Sequence, residues 1–467
     1  MIKIIRQLAL WIAAVATLAA PIEAQIDPAA RGLAVRALNS TTAAPNGFAR
    51  FRARLGQGLS ASLFIWSDST GNSRDNTGRW PARLAADLAA AYPTHSIVIR
   101  YWNTGTGTDW DATPVRIATG TTGATATLWV FAVSGSVFQY AMGSRWPRAV
   151  TQQSYDGAIL NHGINYYPSY EIDAAGAIAR GAMLAGVEQL LAAQPGLPIS
   201  ATLQIPNRDT TALNNMPVHW RVIARAHGIG LIDIYSAYIA QNKAASLYAA
   251  DGIHPSEPTG NALWESLVWA HFLAADTSQV RPQIVSNLRP WASNLLVNGD
   301  FRTWTNISAA PDGWTSSGTI AFTRDNSVVA DPALGYSVRM QGSGAAPAYI
   351  GQSLTAAGRA EAMAAGRLTL AVRSRIGVAG ALTVGRFQVI VTGNGGITYS
   401  SPNGPSYVTT RDGWRWEIIS GIAVPSSGVT DIQVRLFADS GSNPDTSNAA
   451  WWDQVALVTG DNPESAR

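Results

Sequence analysis

The 467-residue sequence contains no cysteine. Disulfides, thiolate metal sites and cysteine nucleophiles are therefore excluded from its chemistry. Charge is scarce. Asp, Glu, Lys and Arg together make up 13% of residues, and the formal net charge is +3. No basic stripe falls on any expected helix, so the electrostatic footprint of a nucleic-acid binder is missing. Long apolar runs are also lacking beyond the N-terminus, which leaves no candidate membrane span in the body of the chain.

The N-terminal run itself, Leu8 to Ala20, is short for a membrane span. Lys3 and Arg6 precede it, and Ile22-Glu23-Ala24 offers a cleavage position after Ala24. This is the layout of a secretory signal peptide over residues 1–24. The expectation is a secreted or periplasmic product with no membrane attachment after cleavage. The alternative is a retained N-terminal anchor.

What the sequence does hold is length, glycine and tryptophan. At this size two or three domains are expected. The 17 Trp and 43 Gly suit a loop-rich chain with aromatic surfaces. Residues 25–56 are rich in Ala, Arg and Pro with weak periodicity, and read as a lead-in segment. From Ser60 strands and helices alternate. Leu63 to Trp66, Thr127 to Val133, Gly157 to Leu160, Ile199 to Gln204 and Gly230 to Ile234 read as buried strands. Pro81 to Tyr92, Ala174 to Ala193, Pro217 to His227 and Leu263 to Leu273 read as helices. Ser96 to Tyr101 and Val115 to Ala118 read as an inserted hairpin. The pattern predicts a doubly wound, mostly parallel, five-stranded α/β domain over 57–277. Residues 278–292 read as a linker. The period-two runs that follow, such as Leu368-Leu370-Val372 and Ile432-Val434-Leu436, predict an antiparallel β-sandwich over 293–460. With five strands and covering helices, the α/β unit is expected to close its own core.

Two stretches carry the chemistry. Ser67-Asp68-Ser69-Thr70-Gly71 follows the first buried strand, where α/β sheets gather their ligands. Ser69 is a candidate nucleophile if a base lies near it. Asp251-Gly-Ile-His254 follows the last strand region. There Asp251 can turn back to the His254 ring and fix its tautomer, leaving the other nitrogen to take a proton from a serine. Gly135 and Asn165 sit at the ends of two intervening strands and could supply a backbone N–H and a side-chain amide to a developing oxyanion.

This ordered set resembles the SGNH hydrolases, the GDSL esterase/lipase superfamily, over roughly residues 60–275. Ser67-Asp68-Ser69 stands where that family has Gly-Asp-Ser. Val133-Ser134-Gly135-Ser136 matches the block that supplies the oxyanion glycine, with Gly105 and Gly107 as rivals in Asn103-Thr-Gly-Thr-Gly. Gly163-Ile164-Asn165 matches the third block without its following Asp, and Asp251-x-x-His254 matches the last. The resemblance implies a flavodoxin-like fold and ester hydrolysis through an acyl-serine, without metal or organic cofactor. Ser69 would be the nucleophile, His254 the general base and then acid, and Asp251 its orienting partner. The Ser69 N–H, Gly135 N–H and Asn165 amide would form the oxyanion hole. His162, Gln204 and Asn207 are candidates for contact with substrate.

The C-terminal region resembles jelly-roll carbohydrate-binding modules in Asn294 to Phe301, Pro311 to Trp314 and Trp451 to Val455. That likeness makes Trp304, Trp414 and Trp416 candidate sugar platforms and leaves room for a structural calcium near Asp300 or Asp453. The expected activity is removal of ester groups, chiefly O-acetyl, from a carbohydrate. The alternatives are a broad esterase or lipase acting on small or lipid esters, and an inactive glycan-binding or adhesion protein. The oligomeric state is left open.

Overall fold

The computed structural model describes residues 46–460 apart from 167–176, 211–215, 278–293, 329–335, 343–347, 377–386, 394–396, 401–413 and 440–448. The expected signal peptide, residues 25–45 of the lead-in segment and the linker lie outside the described residues.

The strand Ala61–Ser67 (β1) is apolar on both faces because it lies in the middle of its sheet. Side chains alternate along a strand. Phe64 and Trp66 enter the core on one side, and Leu63 and Ile65 enter the core on the other. The remaining strands are Ser96–Tyr101 (β2), Val115–Ala118 (β3), Thr125–Ala132 (β4), Gly157–Asn161 (β5), Ile199–Leu203 (β6) and Gly230–Asp233 (β7). They assemble in the order β3-β2-β4-β1-β5-β6-β7. All neighbours are parallel except β3, which runs antiparallel along the edge.

The sheet thus has seven strands where the sequence pattern suggests five. The 96–118 hairpin is part of the sheet, not an insert. Its first strand is fully apolar at Ile97, Val98 and Ile99 because it pairs in parallel with β4 and needs cover on both faces. Its second strand is exposed, as an edge strand can be.

Helices Ala49–Gly56 (α1), Trp80–Ala91 (α2) and Thr259–Leu273 (α6) cover the Leu63 face. Helices Ala177–Ala193 (α3) and Met216–His227 (α4) cover the Trp66 face. The short helix Ile234–Ala240 (α5) follows β7. Helix α1 falls in the last part of the stretch 25–56 that reads as a lead-in segment. Phe48, Phe51 and Leu55 recur at helical spacing and are buried against the sheet layer, while Arg50 and Arg52 between them are half-buried, on the carbonyls of Tyr155 and of Leu273 and Ala275.

The C-terminal region is a sandwich of two antiparallel five-stranded sheets. One runs Arg415–Ala423, Arg367–Ile376, Ala450–Thr459, Ser337–Gly342, Ile320–Asp325; the other runs Ile397–Ser400, Phe387–Gly393, Val429–Asp439, Ala348–Ser353, Thr315–Ser317. Its core holds Val338, Leu370, Val434 and Trp452. The first sheet lies on α3. A Cβ added to Gly181 would fall 1.7 Å from the Ile418 carbonyl oxygen, so helix and strand backbones approach where no side chain fits. Ala371 and Ile418 of the sandwich belong to the same buried cluster as α3.

The candidate sugar platforms are buried or half-buried. Trp304 is a core residue, buried with its Nε1–H donated to the Ala309 carbonyl at 3.0 Å. Trp416 is half-buried against the α3 cluster, and Trp414 is half-buried beside it in the chain. The candidate calcium ligands have other partners. Asp300 pairs with Arg302 at 3.1 Å, and the buried Asp453 lies 3.5 Å from Arg373. Among the described residues no group of three acidic or histidine side chains could hold a metal ion.

Candidate active site

Strand β1 is where the chain reverses its direction across the sheet, since β4 and β2 lie on one side of it and β5, β6 and β7 on the other. Such a switch point opens a crevice at the carboxyl ends of the strands. The loops after β1, β4 and β5 carry Ser69, Gly135 and Asn165.

After β1 the chain turns into a single 3-10 turn over Ser69–Gly71, capped by Asp68. Gly71 is required there by contact, because a Cβ would lie 2.2 Å from Ser67 Oγ. The turn presents Ser69 Oγ at 2.7 Å from His254 Nε2. His254 Nδ1 lies 2.6 Å from Asp251 Oδ2. The other Asp251 oxygen accepts the backbone N–H groups of Ile253 and His254, each at 2.9 Å. Partial burial alone would raise the Asp251 pKa, but these two amides and the imidazole reverse the sign and hold it below the usual value. The carboxylate is therefore fixed, ionised and aimed at Nδ1, which places the Nδ1 proton between them and leaves Nε2 to accept from Ser69.

The His254 loop is itself tethered. Ala249 N–H donates to the His254 carbonyl at 2.8 Å, and Arg208 N–H, beyond the end of β6, donates to Gly252 O at 3.0 Å. Gly252 takes a φ of +67°, a conformation that glycine enters without steric cost.

Gly135 follows β4 with a φ of +74°. Its turn is held from both sides. Asn72, just past the Ser69 turn, donates to Ser134 Oγ at 3.2 Å, and the Asn165 amide donates to Ser136 O at 2.9 Å. No described residue accepts from the Gly135 N–H or the Ser69 N–H, and the Asn165 amide keeps a second hydrogen. Gly105 and Gly107 differ in this respect. Their N–H groups are both taken by Asn103, at 3.0 Å to Oδ1 and 2.8 Å to O, inside the 103–109 loop. Neither glycine of the rival block therefore has a free N–H to offer.

The three expected substrate contacts are all buried. His162 is buried under the site, with its ring 4.4 Å from that of Phe138 and edge-on to Trp66. Burial lowers its pKa to about 3, so it is a neutral core residue. Gln204 is buried, and its carboxamide is fully engaged with the loops beneath Ser69. Asn207 is buried and turns back on its own loop, with Oδ1 accepting Asp209 N–H at 2.9 Å and Thr210 N–H at 3.1 Å.

The sequence reading missed a polar layer below the nucleophile. Asn161, the last residue of β5, donates to Ser67 Oγ at 2.7 Å and to Thr70 Oγ1 at 2.8 Å, and its Oδ1 accepts Thr202 Oγ1–H. Asp68 accepts from Thr70 N–H at 2.9 Å, Thr70 Oγ1 at 2.7 Å and Gln204 Nε2 at 2.9 Å. Complete burial raises the Asp68 carboxyl pKa, against the pull of those bonds. The signal available in the sequence is the run of polar residues Ser67, Asn161, Thr202 and Gln204 at or just beyond the ends of otherwise apolar strands.

No protein-family model matches the sequence, and no curated protein matches it. Among solved structures the chain is similar to a two-domain esterase active on acetylated mannans, co-crystallised with mannopentaose. That alignment is 11% identical, covers 90% of this chain and 97% of the other, and has a TM-score of 0.39. An α/β hydrolase from the metagenome of Lake Arreo, Spain, aligns at 17% identity over 46% of this chain and 96% of its own, with a TM-score of 0.34. TmCBM61 in complex with β-1,4-galactotriose aligns at 14% identity over 36% of this chain and 98% of its own, with a TM-score of 0.22. These alignments describe a distant likeness only.

Proposed function

We propose that the chain is a serine ester hydrolase of the SGNH kind that removes acyl groups, chiefly acetyl, from a carbohydrate. The observation that carries the esterase reading is the relay Ser69 Oγ–His254–Asp251, at 2.7 Å and 2.6 Å, in a molecule where the Ser69 and Gly135 N–H groups and one Asn165 amide hydrogen have no acceptor among the described residues. In this reading Ser69 Oγ attacks the ester carbonyl as His254 Nε2 takes its proton. The Ser69 N–H, Gly135 N–H and Asn165 amide receive the oxyanion. His254 returns the proton to the departing alcohol, and a water deprotonated by His254 then releases the acid from the acyl-serine.

The carbohydrate part rests on the sandwich and its resemblance to sugar-binding modules. The runner-up, a broad esterase acting on small esters, is favoured by one observation: the sandwich is built onto α3, so it has a structural role whether or not it holds a sugar. Export of the protein is proposed from its N-terminal residues, Lys3 to Ala24.

The test is hydrolysis of acetylated mannan, acetylated xylan and p-nitrophenyl esters of graded chain length by the wild type and Ser69→Ala. Release of acetate from a polysaccharide, with decline beyond short acyl chains, is expected. Removal of the serine should leave only the residual rate of the oxyanion donors and binding, lower by about 10⁴-fold or more. A Ser69→Ala protein that keeps a tenth of the rate defeats the esterase assignment. Activity confined to p-nitrophenyl esters shifts the reading to the runner-up.

A further inference from the structure

Gln204 bonds at once to the turn that carries Ser69 and the turn that carries Asn165. Its Nε2 donates to Asp68 Oδ2 at 2.9 Å and to Thr70 Oγ1 at 3.1 Å, on either side of Ser69 in the chain. Its Oε1 accepts the N–H of Ile164 at 2.8 Å, next to Asn165. The orientation of the carboxamide is dictated by these partners, because a carboxylate can only accept and a backbone N–H can only donate. Gly163 makes the approach feasible, since a Cβ there would lie 2.8 Å from Gln204 Oε1.

The hydroxyl at the junction has no capacity to spare. Thr70 Oγ1 accepts from Asn161 and Gln204 and donates to Asp68. Asp68, Thr70, Asn161, Thr202 and Gln204 are all buried, so water does not compete for these bonds. A saturated buried network of this kind has one arrangement, and a loose end in it is costly.

We infer that Gln204 is a positioning residue that sets the Ser69 hydroxyl and the Asn165 amide at a fixed separation, so that nucleophile and oxyanion donor meet the same carbonyl. The inference rests on the esterase reading above. It accounts for a buried carboxamide whose hydrogen bonds run to the nucleophile turn on one side and the oxyanion turn on the other. A misplacement of about 1 Å in such a site costs about 10²-fold in rate.

The experiment uses the full chain and p-nitrophenyl acetate, with Gln204→Glu, Gln204→Met and Ser69→Ala beside the wild type. Gln204→Met removes the donor and the acceptor together. It should lower kcat by about tenfold to a hundredfold with KM little changed. Gln204→Glu keeps the shape. While its carboxyl is protonated it can still donate to Asp68 and accept from Ile164. Once ionised it faces a second carboxylate across the same contact, with His254 and Arg79 as the further charges acting on Asp68. Its kcat should therefore fall with rising pH relative to the wild type and recover on acidification, while thermal unfolding remains cooperative.

A merely structural role would move the unfolding temperature and leave the pH dependence of kcat alone. Wild-type kcat and pH profile in both variants, or a loss of rate that only follows a loss of folded protein, overturns the inference. An inactive wild type, or an active Ser69→Ala, condemns the esterase reading instead.

Discussion

At the scale of single residues the site divides into groups that act and groups that hold. Asp251 shows the difference in one side chain. One oxygen receives two backbone N–H groups and so fixes the carboxylate, and the other meets His254 Nδ1. Asp251→Asn should therefore retain the fold and lose the chemistry. An amide N–H directed at Nδ1 favours the tautomer whose proton sits on Nε2, where Ser69 needs an acceptor. A drop in kcat of about 10⁴-fold is expected by analogy with other triads, read as kcat on p-nitrophenyl acetate with a circular-dichroism check of folding. The approach of Ser69, His254 and Asp251, and the placing of Gly135 and Asn165 in the loops after β4 and β5, are legible in the sequence because each stands at a break between apolar runs. His162 and Gln204 were misplaced for the same reason. A polar residue at a strand end can point up into the cleft or down into the layer below, and sequence alone does not distinguish the two. Burial and saturated hydrogen bonding send both of these downward.

At the scale of elements, the nucleophile turn leads into α2 and the His254 loop leads into α6, and these two helices pack together. Their contact contains a carboxyl pair, Glu265 on α6 and Asp87 on α2. Burial, then the hydrogen bond and negative charge of Asp87, push the Glu265 pKa up to about 8. In the unfolded chain it ionises near the ordinary glutamate value. The folded protein therefore binds the extra proton between those two pH values, and stability from this group declines as pH rises through that window. Glu265→Gln should match the wild type in unfolding temperature near pH 4 and exceed it at pH 9, in a pH series of thermal melts. A wild-type advantage at pH 9 would contradict the raised Glu265 pKa. The helices themselves were visible from their apolar spacing, and so were the parallel strands with continuous apolar runs. Helices α1 and α5 escaped, and the 96–118 strands read as an insert belong to the sheet. Helix α1 hides behind arginines that dilute its Phe48-Phe51-Leu55 stripe. The 96–118 hairpin looks local because its second strand is antiparallel, although its first strand is sheet interior.

At the scale of the molecule, the α/β part and the sandwich are less separable than the sequence suggests. The Arg415–Ala423 strand lies on α3, and Ala371 and Ile418 complete a cluster that also holds Trp66 and Val187. A chain ending near Asp276 would leave that side of α3 in water and should be poorly soluble and inactive even on p-nitrophenyl acetate. Full activity of such a fragment on that ester would show that the contact is dispensable. Gly181→Val probes the same seam in the intact chain. Added atoms meet a carbonyl, which cannot rotate aside as a side chain can, so a single cooperative melt should split in two or fall in temperature. The close approach of two backbones at Gly181 also bears on how such chains can be recombined. Crossovers within 278–293 that bring in a foreign sandwich should yield working chimaeras chiefly when the recipient keeps glycine at this position and the donor strand offers a matching carbonyl edge.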